Sequence, residues 1–322
     1  MNILVTGGAG YIGSHLVRSL SISRQYEVTV VDDLSNGCYT DTLTDILQRK
    51  LIHFHKCDLF HKEHVKELFD RFRFDVVIHL AASVDVGESM EKPLLYYQNN
   101  VTSTLNLLAA MHCYKVKRII FASSSSVYNS HQRTKTPIHE FEGRVWGSPY
   151  AYSKVIIEDI LDNLVELDPD FQATTLRFFN VAGGDCRSQT HLIPKLLRAI
   201  NNNEEFTIYG TNYGNPDGTC IRDYIHVDDV VRALHLALNQ YQTIDAPVYN
   251  IGSGEGHSVR EVINLATEIT GREPRIIEGS HRPGDVSYLV ANIEKAEEEL
   301  GWKPEKTFRE IIESNYENIK NR

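Results

Sequence analysis

The sequence predicts an α/β fold: a doubly wound parallel sheet with helices on both faces, followed by a smaller C-terminal α/β domain. Two observations carry this reading. Short β-branched runs alternate with segments of helical periodicity through the first half of the chain. After about residue 180 that rhythm loosens into Gly/Asn/Asp-rich stretches such as Gly210-Thr-Asn-Tyr-Gly-Asn-Pro-Asp-Gly218. Strands that alternate with helices are joined by right-handed crossovers, and this makes the neighbouring strands parallel.

Taken in order, strands are expected at 3–5, 28–31, 51–55, 76–80, 118–121 and 173–178. Runs such as Ile3-Leu-Val5 and Val28-Thr-Val-Val31 lack an alternating polar face, as strands covered on both sides do. Helices are expected over 12–20, 41–49, 63–72, 100–114 and 150–165, then near 192–201, 228–239, 259–270 and 307–320. The helix at 150 has the clearest start: Ser148 can cap it, and Pro149 suits a first turn whose N–H groups need no intrahelical partner. The expected division is a dinucleotide-binding domain over 1–180 and a substrate domain over 181–322, with segments such as 222–254 able to pack back on the first.

Composition narrows the function. Lys+Arg of 33 against Asp+Glu of 43 gives a net charge of −10, which argues against nucleic acid or an anionic membrane as partner. The five cysteines (Cys38, Cys57, Cys113, Cys186, Cys220) are odd in number and show no CxxC spacing, so neither a disulfide framework nor a zinc site is expected. No basic-then-apolar leader is present, and no apolar run approaches the ~18 residues of a membrane span. A cytoplasmic location is expected. His53, His55, His61 and His64 come nearest to metal-ligand spacing but match no known constellation, and no metal is expected.

Two motifs carry chemistry. Gly7, Gly10 and Gly13 stand between the first strand and the first helix, where glycine permits a tight turn and lets backbone N–H groups approach a pyrophosphate at the positive helix end. Asp32 ends the second strand, near the ~20-residue offset at which a carboxylate can accept from an adenosine ribose. Its charge repels a 2′-phosphate, so NAD is the expected cofactor. Further on, Tyr150 and Lys154 lie four residues apart on one helical face. A tyrosine with an ordinary pKa of about 10 becomes a base near neutrality only if nearby cations outweigh the cost of burying its charge. The serine run 123–126 follows the strand at 118–121, and the carboxyl ends of strands are where open α/β sheets place their ligands.

Thr6-Gly-Gly-Ala-Gly-Tyr-Ile-Gly13, Asp32, a strand ending in serines and Tyr150-x-x-x-Lys154 together resemble the extended short-chain dehydrogenase/reductase family, whose fold is Rossmann-type. The resemblance implies a triad of Ser124, Tyr150 and Lys154. Tyr150 would take a proton from a sugar hydroxyl while the nicotinamide takes the carbon-bound hydride. Ser124 would bond the same oxygen, and Lys154 would hold the nicotinamide ribose and lower the Tyr150 pKa. It also assigns Tyr11, Ile12, Asn36, Asp58, Leu59 and Ala81 to the cofactor, beside Gly7, Gly10, Gly13, Asp32, Tyr150 and Lys154.

Longer segments are similar to the sugar-nucleotide 4-epimerases of that family: Val86-Gly-Glu-Ser89, Asn99-Asn-Val101, Arg177-Phe-Phe-Asn-Val-Ala-Gly183, Thr190-His-Leu-Ile-Pro194, Phe206–Asp228 and Gly301-Trp-Lys-Pro304. The implied activity is NAD-dependent 4-epimerisation between UDP-glucose and UDP-galactose through a 4-keto intermediate, with the N-acetylhexosamine and pentose analogues as alternatives. Asn100, Asn180 and Ser124 are implied at the sugar nucleotide, Arg222 and Arg282 on its diphosphate, and Leu289 at the position that gates N-acetylated sugars. A homodimer built on the helices at 100–114 and 150–165 is implied as well. Related lyases carry carboxylates just after the catalytic hydroxyl, where this chain has Ser125 and Ser126. A serine cannot shuttle the protons of water elimination, so the reading is epimerase rather than dehydratase or decarboxylase. A non-catalytic NAD-binding protein would have no need of the intact triad. Phe178, Val84 and Asn129 depart from residues common in the family, and the segment 183–189 is shorter than usual.

Overall fold

The computed structural model describes residues 1–35, 39–128, 136–144, 147–240, 246–282 and 285–321; Asn36, Cys38 and Asn129 lie outside the described residues. Strands β1 (Asn2–Thr6), β2 (Glu27–Asp32), β3 (Ile52–Lys56), β4 (Val76–His79), β5 (Arg118–Ser124) and β6 (Gln172–Phe178) form a sheet with the strand Val248–Ile251. Across that sheet the order is Val248–Ile251, β6, β5, β4, β1, β2, β3. β1 pairs in parallel with both β2 and β4, β2 with β3, and β4 with β5. The sequence order therefore reverses at β1, and in a doubly wound sheet the crevice at that reversal is the ligand site. All six expected strands are present. The seventh, Val248–Ile251, was missed: it is as short as β4, but Asn250 breaks its apolar run where β4 has Val-Val-Ile.

Helices Tyr11–Ile22, Thr40–Gln48, Lys62–Arg71, Ser103–Cys113 and Pro149–Leu167 fill the connections. The expected helix over 100–114 begins differently. Pro93 disfavours helical backbone at Lys92, and the chain forms helices Val86–Glu91 and Pro93–Tyr96 before a π-helical turn, Tyr97–Thr102.

Two compact units result. One comprises Met1–Val127, Ser148–Arg177 and Leu234–Val248. Its core joins Leu4, Val31 and Val77 of the sheet to Phe69, Leu107, Met111, Ile157 and Leu161 of the helices. The other comprises Tyr128–Gly147, Phe178–Ala233 and Tyr249–Arg322. At its centre the strand Ile221–His226 pairs with Gly256–Ser258 antiparallel and with Tyr288–Leu289 and Asn180–Ala182 in parallel. Leu196, Leu197, Ile200, Phe206, Ile208, Val262 and Ile312 form its core. The Gly301–Pro304 segment is pinned by Trp302, which is fully buried and donates from Nε1 to the Asp229 carbonyl (2.9 Å). The Asp229 carboxylate in turn accepts from the Glu305 and Lys306 N–H groups, both at 3.0 Å.

Candidate active site

At the end of β1 the chain turns through Gly7, whose φ of +67° is left-handed backbone. A Cβ there would meet the Ala81 nitrogen at 2.7 Å, and one on Gly13 would meet the Gly7 carbonyl at 2.1 Å. Glycine is therefore required at both positions, by strand packing at Gly7 and by helix packing at Gly13. Gly10 caps the helix Tyr11–Ile22 with no side-chain hydrogen bond, the arrangement in which a helix amino end can receive an anion. Asp32 closes the cradle at the end of β2. Its carboxylate accepts from Ala9 N–H (3.0 Å) and Leu34 N–H (2.9 Å), and burial pushes it above the usual carboxylate range.

Gly7, Gly10, Asp32, Asp58, Leu59 and Ala81 line one cavity, as the sequence reading expects of a cofactor site. Asp58 turns the chain there by accepting from Phe60 N–H (2.9 Å). Cys57, Asn99 and Ser103 share the lining and were missed, since no local pattern points a thiol, an amide and a hydroxyl at a common space. A dinucleotide fits this residue set: a side-chain-free cradle at a helix amino end for its pyrophosphate and a carboxylate for its ribose.

The reactive cluster lies at the end of β5. Ser148 accepts from Ala151 N–H (3.1 Å) and Pro149 occupies the first turn, so the helix starts where the sequence places it. Tyr150 and Lys154 then face inward, 8% and 3% exposed. Ser124, the last residue of β5, stands at the strand end beside the Tyr150 phenol. Burial pushes Tyr150 above its ordinary value, and the nearby Ser124 hydroxyl opposes that. Lys154 donates from Nζ to the Ala122 carbonyl (2.7 Å) and stands 4.8 Å over the Phe121 ring. Burial lowers it to about 7, and the Glu158 charge opposes. In the protein alone, burial thus works against the charged form of both residues, and the proton on Tyr150 becomes labile only when further positive charge arrives.

Behind these groups lies a second set of buried polar side chains. Glu158 is buried one turn beyond Lys154 and accepts from Ser123 Oγ (2.5 Å), Arg177 Nε (3.0 Å) and Arg177 Nη2 (2.6 Å). His79, fully enclosed, touches Thr6 Oγ1 through Nδ1 (2.7 Å) and Thr104 Oγ1 through Nε2 (2.8 Å). Thr104 gives its own proton to the Asn100 carbonyl (2.6 Å), so Nε2 of His79 must donate and Nδ1 accept. Burial, then the Lys154 charge, hold His79 down at about 3, so it is neutral.

Asn100 was expected at the sugar nucleotide. In the protein alone its Oδ1 accepts from Ser83 N–H (2.8 Å), and its Nδ2 donates to the Ser83 carbonyl (3.1 Å) and Ser153 Oγ (2.9 Å). Its neighbour Asn99 lines the cavity.

In the second unit the other expected residues gather on one strand. Arg222 lies on Ile221–His226 with Leu289 as its parallel register partner, and Asn180 Nδ2 donates to the Asp223 carbonyl (2.9 Å). Arg222 pairs with Asp285, which also accepts from the Tyr213 hydroxyl (3.1 Å). Arg282 is exposed and stacks its guanidinium 4.0 Å over the Tyr209 ring. Leu289 is 8% exposed. Two arginines are thus held near Asp285, whose N–H bonds the Arg282 carbonyl (3.2 Å).

Comparison with known proteins follows the same lines. Residues 3–252 match the NAD dependent epimerase/dehydratase family. The UDP-glucose 4-epimerase of Bacillus subtilis (strain 168) is 36% identical over 332 residues, covering 98% of this chain and 96% of its own length. That of Yersinia enterocolitica is 37% identical over 327 residues, covering 97% and 96%. Among solved structures, UDP-glucose 4-epimerase from Bifidobacterium longum, in complex with NAD+ and UDP, superposes with a TM-score of 0.92 at 33% identity and covers 100% of this chain and 98% of that one. A family match spanning both the Gly-rich turn and the Tyr150 helix, with relatives alike over nearly the full length, leads to one conclusion: the chain belongs to the NAD-dependent epimerase/dehydratase family.

Proposed function

We propose that this protein is an NAD-dependent 4-epimerase that interconverts UDP-glucose and UDP-galactose. One observation carries the reading: the buried Tyr150 phenol, with Ser124 at the strand end beside it, stands one helical turn before a buried Lys154. Relatives and solved neighbours named UDP-glucose 4-epimerase support the substrate. When bound, NAD+ supplies the acceptor for the C4 hydride and gives it back.

The chain's own residues do the rest. Gly7, Gly10, Tyr11, Ile12 and Gly13 shape the pyrophosphate cradle, Asp32 takes the adenosine ribose, and Asp58, Leu59 and Ala81 border the same cavity. Tyr150 removes the proton from the sugar O4, and Ser124 holds that oxygen. Lys154 holds the nicotinamide ribose and adds positive charge beside the phenol. Arg222 and Arg282 grip the diphosphate with planar donors, Asn180 bonds the nucleotide sugar, and Leu289 bounds the sugar. Asn100, which also bonds Ser83 and Ser153, joins them at the sugar nucleotide. With serines at 125 and 126, no carboxylate stands where water elimination would need one.

Purified protein is incubated separately with UDP-galactose and UDP-N-acetylgalactosamine, with and without added NAD+, and the products are resolved by chromatography. Formation of UDP-glucose is expected. Conversion of neither substrate would sink the assignment, and a 4-keto-6-deoxy product would make the protein a lyase.

We further infer a homodimer, supported by exposed apolar side chains on the helices Val86–Glu91, Pro93–Tyr96 and Ser103–Cys113. Met90 is 54% exposed, Leu94 73% and Leu105 46%. A cytoplasmic location is supported by Cys57, Cys113, Cys186 and Cys220, all of which are free thiols.

A further inference from the structure

We propose that Glu158 is a positioning residue for the reaction: buried one helical turn beyond Lys154 and locked in place by Ser123 and Arg177, its carboxylate is the fixed counter-charge that keeps Lys154 an ammonium. The inference rests on the reading of Lys154 as the cation that serves the base.

Four residues apart on one helix, Lys154 and Glu158 share a face, where side chains at that spacing are neighbours. Both are turned inward, 3% and 1% exposed. They reach adjacent residues of β5: Lys154 Nζ donates to the Ala122 carbonyl (2.7 Å), and the Glu158 carboxylate accepts from Ser123 Oγ (2.5 Å). Residues along a strand rise ~3.3 Å each, so the ammonium and the carboxylate are held at neighbouring points of one strand end. The carboxylate also accepts from Nε (3.0 Å) and Nη2 (2.6 Å) of Arg177, and a group that receives a hydroxyl and two guanidinium nitrogens is held in its ionised form.

A buried ion pair is weak evidence for stability, since apolar groups of similar volume often replace one without loss. What the acid adds here is a negative charge beside Lys154. Burial brings that lysine down to about 7, so near neutrality it stands at the edge of discharge, and the Glu158 charge opposes the loss. Without the carboxylate, Lys154 and Arg177 would be two buried cations. Arginine keeps its proton in proteins and a buried lysine gives its proton up readily, so Lys154 would be the one to discharge. A neutral lysine gives the Tyr150 phenol no electrostatic help.

The titrating and charged groups around Lys154 come from four elements. Its own helix carries Tyr150 and Glu158, β6 supplies Arg177, and β4 supplies His79, which is neutral above about 3. Tyr96 meets the Tyr150 ring edge-on at 6.4 Å and is pushed up by burial. β5 presents only the Ala122 carbonyl and, at 4.8 Å, the Phe121 ring.

The test sets Glu158→Gln, which keeps the shape and loses the charge, against Glu158→Asp, which keeps the charge. In urea unfolding of the cofactor-free protein from pH 5 to 10, wild type is expected to gain stability above about pH 7, where native Lys154 gives up a proton that the unfolded chain retains. In Glu158→Gln that rise should begin about one pH unit lower or more, the effect of removing one opposite charge at close range, and adding Lys154→Met should abolish it. Glu158→Asp should follow wild type. In steady-state epimerisation the alkaline limb of the kcat profile, where Lys154 discharges, should move down with Glu158→Gln and return with Glu158→Asp. If Glu158→Gln folds too poorly to measure, Glu158→Leu/Arg177→Met, which leaves no orphaned guanidinium, should shift both curves the same way. A stability loss uniform across pH, or an alkaline limb that stays in place, would overturn the proposal. Inactive wild-type protein, or a Lys154→Met variant with most of its turnover, would instead overturn the epimerase reading, and the unfolding curves would still decide on Glu158.

Discussion

Lys154 shows how a functional residue strains the fold that holds it. Burial lowers its pKa to about 7 against an ordinary 10.5, with the Glu158 charge opposing. Below pH 7 the folded and unfolded states are both protonated, and the folded state bears the whole cost of a buried ammonium. Between 7 and 10.5 the unfolded chain binds more protons than the native state, so the lysine's destabilisation is relieved as pH rises. Lys154→Met should therefore stabilise the cofactor-free protein at pH 6 by about 1–3 kcal/mol in urea unfolding, and abolish epimerisation. The gain should shrink towards pH 10; a variant less stable than wild type at pH 6 would refute the argument. Tyr150 and Lys154 were legible in the sequence because one helical turn fixes their spacing. The bonds of Asn100 were not, because they depend on how a π-helical turn aims its side chains after the chain is packed.

At the scale of elements, the Tyr150 helix is fastened to two strands by one carboxylate. Glu158 takes Ser123 from β5 and both bonding nitrogens of Arg177 from β6, with side chains 1% and 4% exposed for the acid and the arginine. Removing one charge of such a pair leaves the other buried without compensation, at a cost of about 3–5 kcal/mol, whereas an apolar pair of similar volume is often tolerated. Glu158→Gln is expected to lower stability by that amount in denaturant titration, and Glu158→Leu/Arg177→Met to cost less than either single change. Equal or greater loss in the double variant would show that the pair itself, and not the orphaned charge, holds these elements. Glu158 sits four residues after Lys154, so its presence on the same helix face could be read from the sequence, but its partner on β6 could not. The same limit explains the elements that were missed. β1 to β6 of the main sheet announce themselves by β-branched runs, while Asn180–Ala182, Gly256–Ser258 and Tyr288–Leu289 have two or three residues each and become strands only because Ile221–His226 offers them its backbone.

For the whole molecule, association is a contest between apolar contact and charge. Leu94, Leu95, Met90 and Leu105 are 73%, 46%, 54% and 46% exposed on helices of the first unit. Fully burying a leucine side chain is worth about 1.5–3 kcal/mol, so a twofold interface that covers these residues on both copies has ample driving force. Against it stands the net charge of −10 on each chain, whose repulsion acts over a Debye length of ~30 Å at 0.01 M salt and ~8 Å at 0.15 M. The sign of the salt dependence follows. Dimerisation should tighten as ionic strength rises from about 0.01 to 0.15 M, because screening removes the repulsion while apolar burial is unaffected. Light scattering coupled to size exclusion should give twice the chain mass for wild type. Leu94→Glu/Leu105→Glu should give a folded monomer, since each substitution sets a carboxylate against its own symmetry mate or an apolar surface. A wild-type monomer at micromolar concentration would remove the dimer from the description of this protein. A double variant that still dimerises would move the interface elsewhere, and a dimer that loosens as salt is added would mean that ion pairs, rather than these leucines, hold the copies together.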